Sequence, residues 1–454
     1  MNSGITLSEV TVYKGDQRVL YQLSDQWQQG SLILLTGDSG CGKSTLLHTM
    51  AGFDGSSYTG DILVNGHSLH GESMAVKAQH IGLLFQNPAQ QFTMRTLARE
   101  LVFALENIGL SYAEATVRMQ TAVAMMEMAP FLQQDFATLS GGEKQRAALT
   151  VLLALDAPVL LLDEPFASID PASRLFLIQK LAALRDSGKL IVVVDHELTG
   201  YATLVNRWLQ MEHGQLVEQK IIELQQVAAK GSLLKPGAPK EPLFTLSQVQ
   251  LFQGQRELLV PQDFVFAQGI TTITGDNGVG KSTLLRALVQ LQAYRGKMYY
   301  RQQKLSRYFG KQTLYRSVTL AVQQAEQQFV TLQVQPELVF PQKATATIST
   351  RQEQALLDLG LYQLLKRGLY QLSEGQKKMI QLIALFTGEQ QVLLLDEPFA
   401  GLDTKACQYF VQWMQEKQAK TSFIVVSHRL EPLVGISQHH VHIANQQLQE
   451  VSEG

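Results

Sequence analysis

The chain is poor in cysteine, close to neutral in net charge, and without an apolar run long enough to cross a bilayer. Only Cys41 and Cys407 occur in its 454 residues. That is too few for a disulfide framework, a zinc site or an iron–sulfur cluster, and it suits a reducing compartment. A formal charge of -2 gives no polybasic surface, so nucleic acid is not an expected partner. The first ten residues, MNSGITLSEV, lack a basic stretch followed by an apolar one, and no secretion signal is expected there. The longest apolar stretch, around Leu149 to Leu162, is broken by Asp156 and Pro158 and followed at once by Asp163. It cannot span a membrane, so a membrane role would require a partner.

Against these absences stands a duplication. GDSGCGKST at Gly37 to Thr45 returns as GDNGVGKST at Gly275 to Thr283, and VLLLDEPFA at Val159 returns unchanged at Val392. TLSEVTVYKG at Thr6 is echoed by TLSQVQLFQG at Thr245, and ELVF at Glu100 by ELVF at Glu337. Corresponding residues lie 239 apart at Tyr13 and Phe252, 238 at Lys43 and Lys281, 237 at Gln86 and Gln323, 233 at Ser140 and Ser373, and 232 at His196 and His428. A gene-internal repeat with a few small deletions explains the drift. Between the copies, KGSLLKPGAPKEP at Lys230 to Pro242 has the proline, glycine and lysine content of a tether. The expected domains are 1–218 and 243–454, joined by a linker over 219–242.

Within each copy the short runs SLILLTG, PVLLLDEP and KLIVVVDH read as buried parallel strands, while Ser44 to Met50 and Ala172 to Leu184 read as helices. Alternating strands and helices predict an α/β core. From Thr96 to Leu139 the pattern is mainly helical with a break at Pro130, and its counterpart in the second copy is slightly shorter.

The chemistry follows from the spacing. A strand ending in GxxxxGK[ST] and opening a helix offers backbone N–H groups and a positive helix end to phosphate oxygens. This assigns phosphate binding to Gly37, Asp38, Ser39, Gly40, Cys41, Gly42, Lys43, Ser44 and Thr45, and again to Gly275, Asp276, Asn277, Gly278, Val279, Gly280, Lys281, Ser282 and Thr283. Lys43 and Lys281 would reach the β and γ phosphates, and Ser44 and Ser282 would ligate Mg2+. A chance glycine-rich turn is the plain alternative, and two instances at equivalent places exclude it. Asp163 and Glu164, like Asp396 and Glu397, close an apolar strand; the aspartate is placed to hold Mg2+ and the glutamate to polarise a water. Acidic residues also end strands merely because the chain leaves the core, but a phosphate loop upstream in both copies favours catalysis.

LSGGEKQR at Leu139 to Arg146, about twenty residues before the acidic strand, resembles the signature of ATP-binding cassettes. The resemblance extends over nearly the whole chain. It implies two tandem P-loop ABC cassettes, each with a RecA-like core, an antiparallel β subdomain and a helical insertion. It makes Tyr13 and Phe252 the aromatics that stack on the base, Gln86 and Gln323 the Q-loop glutamines that also touch Mg2+, Asp170 and Asp403 the D-loop aspartates, and His196 and His428 the switch histidines. Taken singly, an early aromatic, a histidine beyond a strand or a glutamine in a glutamine-rich chain would be packing or surface; their order raises them together. The resemblance further implies a head-to-tail pairing that sandwiches two ATP molecules. Site one would join the first P-loop to Ser373 and Gly375, and site two the second P-loop to Ser140, Gly141 and Gly142. Stacking on an aromatic gives only a mild preference for ATP over GTP.

The copies disagree in one place that matters for this pairing. The second signature reads LSEGQKKM, with Glu374 for Gly141 and Met379 for Arg146. A carboxylate near a γ-phosphate repels it and a side chain restricts the backbone, so site one is expected to close less readily; the opposing reading has Glu374 facing solvent and both sites turning over. Cys41, at a helix N-terminus, is expected to have a lowered thiol pKa, so that a thiol-alkylating reagent inhibits site one and ATP protects it.

Two function classes remain. FQNPAQQF at Phe85 to Phe92 is similar to cassettes of energy-coupling-factor importers, which implies a peripheral ATPase on the cytoplasmic face of the membrane, gripping integral membrane subunits for coupling and substrate binding. The second copy, VQQAEQQF, keeps Gln323, Gln327 and Phe329 but lacks the Asn-Pro pair. The alternative is a soluble tandem cassette acting on the ribosome, whose signatures also read LSGGE but whose linker is usually long and charged. DNA-repair cassettes carry coiled-coil or zinc insertions that this chain lacks.

Overall fold

The computed structural model describes residues 4–53, 57–86, 91–139, 141–166, 169, 171–222, 224, 234, 241–305, 311–340 and 348–451. Met1–Ala229 and Lys230–Gly454 are two compact units, and each repeats one architecture. In the first unit the strands are β1 (Gly4–Lys14), β2 (Gln17–Gln28), β3 (Leu32–Gly37), β4 (Ser57–Val64), β5 (His67–Ser68), β6 (Ile81–Leu84), β7 (Val159–Asp163), β8 (Leu190–Val194), β9 (Arg207–Glu212) and β10 (Gln215–Gln219). The central sheet has the order β10-β9-β3-β8-β7-β6, and a second sheet of order β2-β1-β4-β5 is antiparallel throughout.

The five branched or leucine residues of β8 and the four of β7 are all buried, because helices cover both faces of a parallel sheet and leave no polar side to alternate with. Each such side chain contributes roughly 2 kcal/mol of burial. The helices are α1 (Lys43–Ala51), α2 (Met74–His80), α3 (Leu97–Asn107), α4 (Tyr112–Met125), α5 (Gly141–Leu155) and α6 (Pro171–Asp186). α3 and α4 pack on α5 through Leu101, Leu105, Val123, Met126 and Leu149, which makes the 97–125 insertion a helical layer continuous with the core. α4 starts at a capping box in which Ser111 and Glu114 satisfy each other's backbone N–H.

The second unit follows with β11 (Pro242–Gln253), β12 (Arg256–Ala267), β13 (Ile270–Gly275), β14 (Tyr294–Tyr300), β15 (Gln303–Lys304), β16 (Val318–Ala321), β17 (Val392–Asp396), β18 (Ser422–Val426), β19 (His439–Ala444) and β20 (Gln447–Glu450). Its sheets have the orders β16-β17-β18-β13-β19-β20 and β12-β11-β14-β15, the first unit's topology again. Its helices are α7 (Lys281–Leu288), α8 (Lys311–Ser317), α9 (Val334–Val339), α10 (Thr350–Asp358), α11 (Glu374–Phe386) and α12 (Thr404–Lys417). The insertion helices α9 and α10 are shorter than α3 and α4, as the sequence led one to expect. Most of the tether and the Asn87-Pro88 pair, with Gln90, Ser140 and Asp170, lie outside the described residues.

Register places the chemistry. Asp163 at the end of β7 lies beside Val194 at the end of β8, and Leu35 of β3 is also beside Val194. The segments leaving β3, β7 and β8 therefore emerge at one carboxyl edge, where ligands of open α/β sheets bind. The same holds for β13, β17 and β18, with Ile273 and Asp396 both registered on Val426.

Candidate functional site

Each P-loop bends through glycines in the left-handed region: φ is 144°, 83° and 110° at Gly37, Gly40 and Gly42, and 144°, 75° and 105° at Gly275, Gly278 and Gly280. A Cβ on Gly37 would stand 2.6 Å from the Met211 carbonyl oxygen, and one on Gly42 2.7 Å from Leu20 Cδ2, so both conformation and space demand glycine. The second contact also shows β2 pressed against the loop. Lys43 Nζ donates to the carbonyls of Gly37 and Asp38 at 2.7 and 2.9 Å; Lys281 Nζ does the same to Gly275 and Asp276 at 2.6 and 2.9 Å. Both ammonium groups thus lie inside the turn that would surround a phosphate.

Beneath each loop sits the acidic strand end. The Ser44 hydroxyl hydrogen-bonds the Asp163 carboxyl and Ser282 that of Asp396. Burial pushes Asp163 up to about 6 against the pull of Ser44, and burial likewise raises Asp396. Asp163 Oδ1 and Asp396 Oδ1 are buried without a hydrogen-bond partner. A hydroxyl next to an orphaned carboxylate oxygen under a phosphate loop is a donor set that fits Mg2+, which takes one or two protein oxygens and completes its shell with water and phosphate. The next residue is strained in both units: φ is 47° at Glu164 and 49° at Glu397, a region that costs a side-chain-bearing residue about 1 kcal/mol or more and that clusters at functional sites. The bend is held by Glu164 N–H donating to Val194 O at 3.0 Å and Glu397 N–H to Val426 O at 2.9 Å.

In the first unit the remaining residues converge. Gln86 Nε2 donates to Glu164 Oε2 at 2.9 Å, and His196 Nε2 lies 3.1 Å from Glu164 Oε1. The second unit is arranged differently. His428 N–H donates to Glu397 Oε2 at 3.1 Å while its Nε2 lies 3.0 Å from Asn277 Oδ1 in the P-loop. Gln323 is exposed, and Glu397 Oε1 is buried 3.6 Å from His428 Nε2, too far for a hydrogen bond. Burial raises the Glu397 carboxyl, opposed by the His428 N–H.

Tyr13 and Phe252 are half-buried at the ends of β1 and β11, and Phe252 carries the Arg295 guanidinium 5.0 Å over its ring. In the second signature Ser373 accepts from Gln376 N–H and caps α11, Gly375 is buried, and Glu374 is exposed in the first helical turn. Gly141 opens α5, with Gly142 half-buried beside it. Asp403 caps α12 through Ala406 N–H. One expectation is corrected: the Cys41 thiol is raised, not lowered, because burial outweighs the nearby Lys43 charge. A helix N-terminus lowers a thiol that solvent can reach freely; this one is half-buried.

Sequence reasoning missed three sets of residues. Gln91 and Gln328 clamp the Q-loop ends, each accepting from a backbone N–H (Phe85 at 3.1 Å, Val322 at 3.2 Å) and donating to a strand carbonyl (Leu83 and Leu320, both 2.9 Å). Glu100 and Glu337, the first letters of the repeated ELVF, are buried carboxylates that accept from Thr93 and Met94 N–H and from Val330 and Thr331 N–H. Their equal spacing in the two copies was the available signal. The third is Lys378, which stands where the first signature has Gln145. It is 4% exposed, and burial pushes it down to about 8 against the pull of Asp396 and Glu397.

Two α/β units, each with a P-loop above an acidic strand end and a helical insertion, define a tandem P-loop nucleotide-binding protein. The chain belongs to the ABC transporter family, whose sequence pattern matches residues 20–167 and again 264–400; it therefore carries the family's ATP-binding, ATP-hydrolysing domain twice. It is 28% identical over 471 residues, 92% of this chain and 86% of the relative, to a Bacillus subtilis (strain 168) protein provisionally described as the HMP/thiamine import ATP-binding protein YkoD. It is 36% identical over 204 residues, 45% of this chain and 73% of the relative, to the energy-coupling factor transporter ATP-binding protein EcfA1 of Streptococcus sanguinis (strain SK36). Among solved structures, the archaeal ribosome recycling factor aABCE1, in complex with the archaeal ribosomal stalk protein aP1, has the same fold with a TM-score of 0.68 at 19% identity, over 96% of this chain and 87% of that one. Among the described residues no helix is long and apolar enough to cross a membrane.

Proposed function

We propose that this chain is the ATP-hydrolysing subunit of an importer of energy-coupling-factor type, held on the cytoplasmic face of the membrane by integral membrane subunits and serving the uptake of a vitamin or metal ion. The observation that carries ATP turnover is the convergence of Gln86 and His196 on Glu164, beside Lys43, Ser44 and Asp163. Likeness to the import protein along 92% of the chain supports transport and favours the vitamin class. Likeness to the ribosome recycling factor, at 19% identity, bears on fold alone.

In this reading the P-loop amides and Lys43 or Lys281 bind the phosphates, and Tyr13 or Phe252 stacks on the base. Ser44 with Asp163, or Ser282 with Asp396, would hold Mg2+, which would neutralise charge on the phosphates. Glu164 and Glu397 accept a proton from the attacking water; Gln86 and His196 orient Glu164, while His428 holds Glu397 through its N–H. The signature residues Ser373 and Gly375, and Ser140, Gly141 and Gly142, complete the nucleotide contacts, and ATP binding and hydrolysis cycle the cassettes between two states. The stroke is passed to the membrane subunits.

Gentle solubilisation followed by capture of the chain tests the assignment: membrane proteins should travel with it, and ribosomal proteins in their place would turn the reading toward the translation branch. Turnover is tested by Glu164→Gln and Glu397→Gln. Each should lower ATPase activity, and the double variant should fall by about a hundredfold or more; a larger loss in Glu397→Gln is the outcome expected if the departure of the second signature at Glu374 makes the two sites unequal. Equal single losses would remove the asymmetry.

A further inference from the structure

Among the buried positions at which the two signature helices differ, one changes charge. Gln145 of α5 is uncharged and 3% exposed, and its counterpart in α11 is Lys378, 4% exposed. The Lys378 ammonium donates to the carbonyl of Gln323 at 3.0 Å, and lies 3.3 Å from that of Val322 and 3.4 Å from that of Asp396. It thereby ties the helix to both ends of the second site's machinery, the Q-loop and the acidic strand. Carbonyl oxygens satisfy its three protons but leave its charge, and a charge this deep in protein acts on its neighbours far more strongly than one in water. The neighbours are acidic: the Asp396 carboxyl is drawn down more by Lys378 than by the P-loop lysine, Lys281, and Glu397 also feels it.

We propose that Lys378 is a positioning residue that pins the second Q-loop and lends the second nucleotide site a fixed positive charge, so that this site holds ATP with less dependence on divalent cation than the first. A resident cation offsets part of the repulsion between the acidic pair and the triphosphate, which is the work Mg2+ does at the first site. The inference rests on the reading that both P-loops bind ATP.

The test is equilibrium binding of MANT-ATP to the full chain at pH 7, in EDTA and in Mg2+, read as the ratio of the two Kd values. Lys43→Ala isolates the second site and Lys281→Ala the first. The ratio is expected to be smaller at the second site by about fivefold or more. Lys378→Gln should raise it toward the first-site value, Lys378→Arg should preserve it, and Gln145→Lys in the Lys281→Ala chain should lower it. Equal ratios in the two single-site chains, or an unchanged ratio in Lys378→Gln that still melts cooperatively, would overturn the proposal. Should Lys378→Gln fail to fold, Gln145→Lys decides, and an unchanged first-site ratio is then fatal. If Lys43→Ala binds no MANT-ATP even in Mg2+, the reading of the second site as an ATP site falls, and this proposal with it.

Discussion

Burial decides the behaviour of single residues here more often than residue type does. Cys41 shows the sign of the effect: its thiol is raised above the ordinary value of 9.0 by desolvation, so the reactive thiolate is scarce at neutral pH. Alkylation of Cys41 is expected to be slow at pH 7, to speed up about tenfold per pH unit until the raised pKa is passed, and to slow again when ATP fills the loop. Mass spectrometry of labelled peptides across pH measures this; a pH-independent rate would contradict it. The P-loops and acidic pairs were legible in the sequence because covalent spacing and order carry them, and the switch histidines only through the resemblance to ATP-binding cassettes. Lys378 was not, since a lysine for a glutamine in a polar heptad looks like an exchange of surface residues until the helix is seen to turn that position inward.

At the scale of elements, the two switch loops are anchored by opposite arrangements of charge. In the first unit Arg174 of α6 is 3% exposed and reaches up to Asp195, which also accepts from the Tyr201 hydroxyl at 2.8 Å, and to the carbonyls of Glu197 and Thr199. In the second unit Arg429 lies in the loop itself and donates to the Leu402 carbonyl, while Cys407 occupies the matching helix position. Arg174→Ala would leave Asp195 buried without its cation, and a broken buried pair costs about 3 kcal/mol or more. Urea unfolding of the full chain should show that loss, along with reduced ATPase activity from a loosened His196. A stability change under about 1 kcal/mol would mean water replaces the guanidinium. Strands and insertion helices were readable because apolar periodicity is local. Gln91, Gln328, Glu100 and Glu337 escaped because a buried clamp and a solvated polar residue look alike until the chain has folded.

For the whole molecule, two cassettes mean two linked ligand equilibria. A ligand that binds only the folded state stabilises it by about 2.7 kcal/mol at a hundredfold excess over Kd, so Mg-ATP should raise the melting temperature of the chain. Lys43→Ala and Lys281→Ala should each remove part of that rise, and the double variant all of it. Retention of the full shift in the double variant would place the nucleotide elsewhere.

The left-handed backbone at Glu164 and Glu397 has a consequence for durability. Glycine relaxes such a bend, so Glu164→Gly with Glu397→Gly is expected to gain about 1 kcal/mol at each position and to outlast the parent on heating while turning over no ATP. The protein would then be one that keeps two strained bends at its acidic strand ends, giving up hardiness for work.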